Sequence, residues 1–132
     1  MIRKLTHYPL LLMNFAIEAS LGLSMIIRPD LIMDLGGVKI SEVLLRTCGL
    51  LALSVAFFSI SSIFLIQKHK NANEIKNFVY ANLLTFNLAL TIGLFYSAIT
   101  GEITYLGTII HLPLAVCFGA SLIISYYRTN QK

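Results

Sequence analysis

A chain of 132 residues that is 57% hydrophobic and only 12% charged is too apolar for an ordinary soluble domain, where about a quarter of residues carry charge. The net charge of +4 and pI near 9.2 do not indicate a nucleic-acid partner, because the basic residues flank apolar runs and form no continuous patch. Cys48 and Cys117 have no paired spacing. They read as small buried apolar residues, not as a disulfide or metal pair.

A helix that crosses the hydrocarbon core needs roughly 20 apolar residues. Residues 47–67, 77–101 and 103–127 contain no Asp, Glu, Lys or Arg, and residues 5–27 are interrupted only by Glu18. The expected fold class is all-α: a four-transmembrane-helix bundle forming one integral membrane domain over residues 1–132, with a short interfacial segment between the first two spans. Met1-Ile2-Arg3-Lys4 before an apolar run resembles the start of a signal peptide. Glu18 breaks that run and no small-x-small cleavage site follows, so it reads as a retained first helix.

The first span is expected over about residues 8–27. Pro9 suits a first helical turn, and Arg28 before Pro29 ends the helix, because a residue preceding proline disfavours the α region. The segment from Pro29 to Ile40 is too short to cross. Leu31, Ile32 and Leu35 fall on one side of a short interfacial helix, Asp30 and Asp34 face water, and Gly36-Gly37 terminates it.

The second span is expected over about 41–66, with Ser41 as N-cap and Glu42 at the positive end of the helix dipole. Gln67 to Asn73 forms a polar, basic loop. Asn73 and Glu74 cap the third span, 74–99, which Thr100-Gly101 breaks. The fourth span is expected over 104–127. Pro113 within it frees a backbone carbonyl in the preceding turn, available to His111 or to a site.

The termini and the loop between the second and third spans share one side. They carry Arg3, Lys4, Lys68, Lys70, Lys76, Arg128 and Lys132. The positive-inside rule places both termini in the cytoplasm of an inner-membrane protein, with Asp30, Asp34, Glu42 and Glu102 on the outer side.

Each span carries polar groups: Glu18, Arg46, Asn82 with Asn87, and His111. Ionisable groups in hydrocarbon are costly and tend to be paired, buried or functional. From the outer helix ends, Arg46 lies roughly 6 Å deep, His111 about 10 Å, and Glu18 and Asn87 about 15 Å. The arginine side chain reaches towards Glu18 at that depth. Glu18, Arg46, Asn87 and His111 are therefore the candidates for one polar pocket in the outer half, for ligand binding or proton coupling. Asn14, Tyr80 and Thr91 share faces with them as supporting residues, and Asn82 lies deeper on another face. Gly49, Ala52, Ala56, Ala115 and Gly119 would allow close helix approach. A purely structural Glu18–Arg46 ion pair, with Asn87 and His111 as interhelical glue, is the competing reading.

No phosphate loop, nucleophile elbow, haem attachment motif or zinc motif is present, and no catalytic residues stand out. His7, His69 and His111 fall at different levels, so no shared metal site is expected.

A glycine-bearing first helix ending in Arg28-Pro29-Asp30-Leu31, then Leu35-Gly36-Gly37, then Leu45-Arg46-Thr47-Cys48-Gly49, resembles the DoxX-like group of small bacterial four-helix membrane proteins. That resemblance implies an inner-membrane bundle, some members of which associate with quinone or thiol redox systems. The chain is also similar in length and span number to the small multidrug resistance family, with Glu18 standing for its membrane-embedded glutamate. It departs from that family in having no tryptophan and in carrying Arg46 and His111 within spans. Three functional classes follow. One is a ligand-binding or redox-accessory protein, with quinone as a candidate cofactor. Another is a proton-coupled transporter working as a dimer. The third is a structural subunit of a larger membrane complex. In each case the lipid bilayer is a partner.

Overall fold

The computed structural model describes residues 8–37 and 40–130, the side chains of residues 128–130 excepted. Arg3, Lys4, His7, Lys39 and Lys132, and the side chain of Arg128, lie outside the described residues. Five helices follow in order: α1 (Pro9–Ile27), α2 (Pro29–Gly36), α3 (Glu42–Lys68), α4 (Ala72–Ile99) and α5 (Leu106–Asn130). Four of them, α1, α3, α4 and α5, are long and apolar enough to cross a membrane. The chain is an all-α membrane protein: a four-span bundle with one short helix between the first two spans.

Local sequence explains most boundaries. Pro9 opens α1 at a position whose N–H would have no helical partner. Arg28 ends α1 and precedes α2 in a non-helical conformation (φ −132°, ψ 62°), as the following Pro29 requires. Ser41 caps α3 by accepting a hydrogen bond from the Leu44 N–H at 3.3 Å. The start of α4 differs from expectation. Asn71, not Asn73, is the residue before the helix, and its side-chain amide donates to Glu74 Oε2 at 3.2 Å. Asn73 is exposed within the first turn. α5 begins at Leu106, after the Gly101 turn (φ 77°).

Helix α1 lies along α3, and α4 lies along α5; contact between these two pairs is sparser. The first pairing rests on two facing glycines. A Cβ on Gly22 would sit 2.7 Å from the Gly49 carbonyl oxygen, and one on Gly49 would sit 2.8 Å from the Gly22 carbonyl oxygen. Such a crossing is open only to residues without a side chain. Gly119 makes no comparable approach: its nearest neighbour to an added Cβ would be the end of Leu84 at 3.8 Å, ordinary contact.

The half of the bundle near the chain ends is filled by Leu11, Ile63, Ile66, Val79, Tyr80, Leu83, Leu114 and Phe118. Tyr80 and Phe118 meet edge to face with ring centres 5.3 Å apart. Outward-facing positions are apolar: Val43 is 76% exposed, Phe57 71% and Phe78 67%. Asn14 and Asn87, by contrast, are fully buried. Apolar outside with polar inside is the arrangement that lipid, not water, stabilises.

Helix α2 closes over the other end. It terminates at Gly37 in the left-handed conformation (φ 62°). The Thr104 N–H donates to the Gly36 carbonyl at 2.7 Å, which fastens α2 to the α4–α5 turn. Of the three apolar residues assigned to one side of this helix, Ile32 turns inward, whereas Leu31 and Leu35 are exposed. At its start Arg28 pairs with Asp30 at 2.9 Å on the exposed surface. The Arg28 guanidinium, chiefly through its hydrogen bond, holds the Asp30 carboxyl below its ordinary value. The small contribution of this pair is therefore present above the ordinary aspartate pKa and is lost as pH falls through the depressed one. A carbon-13 titration of Asp30 should show a depressed midpoint that rises in Arg28→Gln. An unshifted wild-type midpoint would mean that the pair does not form in solution.

Candidate functional site

Three of the four spans and one serine of the other build a continuous hydrogen-bonded chain across the bundle. Asn87 of α4 donates from Nδ2 to the Leu83 carbonyl at 2.9 Å and to Asn14 Oδ1 of α1 at 3.1 Å. Asn14 donates in turn to Ser59 Oγ of α3 at 2.9 Å, and Ser59 donates to its own helix at the Val55 carbonyl. On the other side, Asn87 Oδ1 stands 3.1 Å from His111 Nδ1 of α5. Both amide hydrogens of Asn87 are committed, so its oxygen can only accept. His111 Nδ1 therefore carries the proton and donates. Thr91, one turn along α4, donates to the Asn87 carbonyl at 2.7 Å. Each of these polar groups finds a partner, as burial in a low-dielectric interior demands.

Glu18 breaks that pattern. It is 1% exposed, one turn beyond Asn14 on α1, with Oε1 3.5 Å from His111 Nδ1. That distance is too long for a good hydrogen bond, and the Nδ1 proton is better placed towards Asn87. Glu18 Oε1 has no hydrogen-bond partner; among the described residues only Thr108 Oγ1 shares that condition.

The Glu18–Arg46 ion pair expected from the sequence is not formed. Arg46 is exposed and donates to the Ile26 carbonyl at 2.8 Å and to Glu42 Oε2 at 3.3 Å. Its position close to the helix end lets the long side chain reach the border, where its charge is less costly. Tyr80 also stands apart, within the apolar half. Asn82 is exposed and bonds back to the Phe78 carbonyl at 2.8 Å, outside the cluster. Pro113 is exposed on the helix surface, and the ring of His111 turns to Asn87.

Glu18 and His111 lie at the inner end of a cavity of about 730 Å³. Ala52 and Phe86 complete this floor. Leu21, Met25, Leu45, Cys48, Leu51, Leu90 and Leu94 form apolar walls, Ser97 adds a hydroxyl between Leu94 and the rim, and Ile32, Ile40, Gly101, Glu102 and Ile103 form the rim. The Phe86 and His111 rings stand nearly perpendicular, 6.4 Å between centres. The cavity occupies the space between the two helix pairs, at the end opposite the apolar core. Among the described residues, the carboxylates that line it are Glu18 and the exposed rim residue Glu102, and no lysine or arginine does.

Glu18, Asn87 and His111 are thus brought together with Asn14 and Thr91, and Arg46 and Tyr80 are not. Sequence reasoning missed Ser59 and Glu102. Ser59 was accessible through the row Gly49, Ala52, Ala56, Ser59, which repeats small residues at three- and four-residue spacing along α3 and is buried throughout. No group of His, Cys, Asp and Glu among the described residues has metal-binding geometry. No family model, curated protein or solved structure matches this chain.

Proposed function

We propose that this membrane protein holds a small amphipathic molecule in the cavity, polar end against Glu18 and His111, apolar part against the leucine walls. The observation that carries the reading is a buried carboxyl oxygen without a partner at the closed end of a cavity of about 730 Å³. Ligand sites are commonly of about 300–1,000 Å³, mostly apolar, with a few convergent polar groups. Holding fits better than passage across the membrane, because the apolar core around Leu11, Ile63 and Phe118 closes the opposite half. Leu21 lines both this cavity and an apolar groove between α1 and α5, a short lateral route for a molecule dissolved in the bilayer.

The placement of Lys68, Lys70 and Lys76 at the core-filled end of the bundle supports an inner-membrane protein with cytoplasmic termini and an outward-facing cavity. A place among the DoxX-like proteins is part of the same proposal and rests on the sequence pattern around Arg28-Pro29, Gly36-Gly37 and Arg46 alone.

Cys48 provides the test. In Cys117→Ser protein in nanodiscs, a small neutral maleimide should modify Cys48 through the open cavity. Leu90→Trp, which fills the space, should slow that reaction at least several-fold and remove any co-purifying mass seen by native mass spectrometry. Equal rates in the two proteins, with no bound mass in either, would dispose of the reading.

A further inference from the structure

We infer that the cavity selects a head group that donates hydrogen bonds, an aliphatic alcohol or amine, over one that only accepts. The inference rests on the cavity reading above. It follows from counting the hydrogens at the floor. His111 Nδ1–H is committed to Asn87 Oδ1 at 3.1 Å, and Asn87 has spent both amide hydrogens on Leu83 and Asn14. The neutral imidazole leaves Nε2, an acceptor. Glu18 Oε1 is unpartnered and lies 3.5 Å from a nitrogen that carries its own proton. A proton on Oε1 would face that N–H, so Oε1 is an acceptor, and the ionised carboxyl carries no hydrogen to donate. With the Glu18 carboxyl ionised, the floor therefore offers two acceptors and no spare donor; the Ser97 hydroxyl of the lining stands away from it, one helical turn before Gly101 of the rim. Glu102 on the rim adds another acceptor, and Arg46 is tied to Glu42 and Ile26, away from the lining.

A hydroxyl or ammonium group satisfies Oε1; an ether, a ketone or a quinone head finds no hydrogen to accept at that floor. A fatty acid places a second carboxylate beside Glu18. An unmet buried acceptor is disfavoured strongly enough to discriminate between ligands of equal size.

The probes are decanol, decylamine, decyl methyl ether and decanoate, each titrated over the same range of bilayer concentration, with Cys48 modification in Cys117→Ser nanodiscs as the readout. Decanol and decylamine should slow modification at concentrations about tenfold or more below those at which the ether acts. Decanoate should not protect. Glu18→Met, which replaces the carboxyl by an apolar side chain of similar length, should bring the alcohol and the ether to similar potency. Protection by the ether equal to that by decanol in the wild-type cavity would overturn donor selection and leave the cavity reading standing. Protection by none of the four, with Cys48 still reactive, would overturn donor selection. Only a Cys48 insensitive to Leu90→Trp would remove the cavity as well.

Discussion

Gly22→Val is expected to separate α1 from α3 and to be among the most damaging single changes in the chain. A Cβ there would meet the Gly49 carbonyl oxygen at 2.7 Å and Leu53 Cγ at 2.9 Å. The oxygen belongs to helix backbone and cannot rotate away, so the helices must move apart. In lipid, little hydrophobic force draws two spans together, and close packing supplies most of the attraction. Contact energy falls steeply with a gap of even 0.5–1 Å. Overpacking of this kind typically costs about 1–3 kcal/mol, and valine should reach the upper end. Gly49→Ala should act in the same direction, its Cβ meeting the Gly22 carbonyl oxygen at 2.8 Å. The two changes should not add, because the separation that accommodates one accommodates the other. Gly93→Ala is the control: an added Cβ there has nothing within 4 Å, and removing a helical glycine is stabilising by roughly 0.5–1 kcal/mol. Thermal unfolding in mild detergent measures all three. Wild-type melting of Gly22→Val would mean that the glycine crossing does not form.

What the sequence revealed and what it concealed divide along a physical line. Apolar run length, Pro9, Arg28-Pro29, Ser41 and Gly36-Gly37 act through local sterics and hydrogen bonds, so they marked the spans and most of their ends. Asn14 was legible with Glu18 because residues four apart share a helix face. Rotation of one helix about another is a tertiary outcome, and there the reading went astray. Arg46 was placed at a sensible depth, yet the same shallow depth lets its side chain reach Glu42 at the border instead of Glu18 within. Tyr80 shares a stripe with Asn87, but two helical turns, about 10 Å, put it in a different layer. Ser54, Ser61 and Ser62 all bond back to their own helix; Ser59 does so too, and only the rotation of α3 brings it to Asn14. The cavity is the volume left between two tightly closed helix pairs, and no residue encodes it alone.

Asn87→Leu should be the second large effect, and it connects stability with the site. The substitution removes the partner of Asn14 Oδ1 and the acceptor of His111 Nδ1–H, and it leaves the Leu83 carbonyl with one bond fewer. A buried polar group left unpaired costs about 1–3 kcal/mol, whereas interhelical hydrogen bonds in membranes average only about 0.6 kcal/mol because alternative partners exist. With two side-chain partners stranded together, a loss of about 2 kcal/mol is expected. Asn14→Leu combined with it should recover part of that loss, since each asparagine otherwise strands the other. Arg46→Gln is the contrast. Its exposed pair with Glu42 should contribute under about 0.5 kcal/mol, although a Glu18–Arg46 bridge would have made it severe. The functional consequence follows from the freed proton. Without Asn87 Oδ1, His111 Nδ1–H is released to turn to Glu18 Oε1, 3.5 Å away, and to satisfy the acceptor that otherwise awaits a ligand. Asn87→Leu should therefore weaken protection of Cys48 by decanol, while Arg46→Gln should leave it unchanged. A chain in which Arg46→Gln destabilises the fold and Asn87→Leu does not would show that Arg46, not Asn87, organises the polar interior.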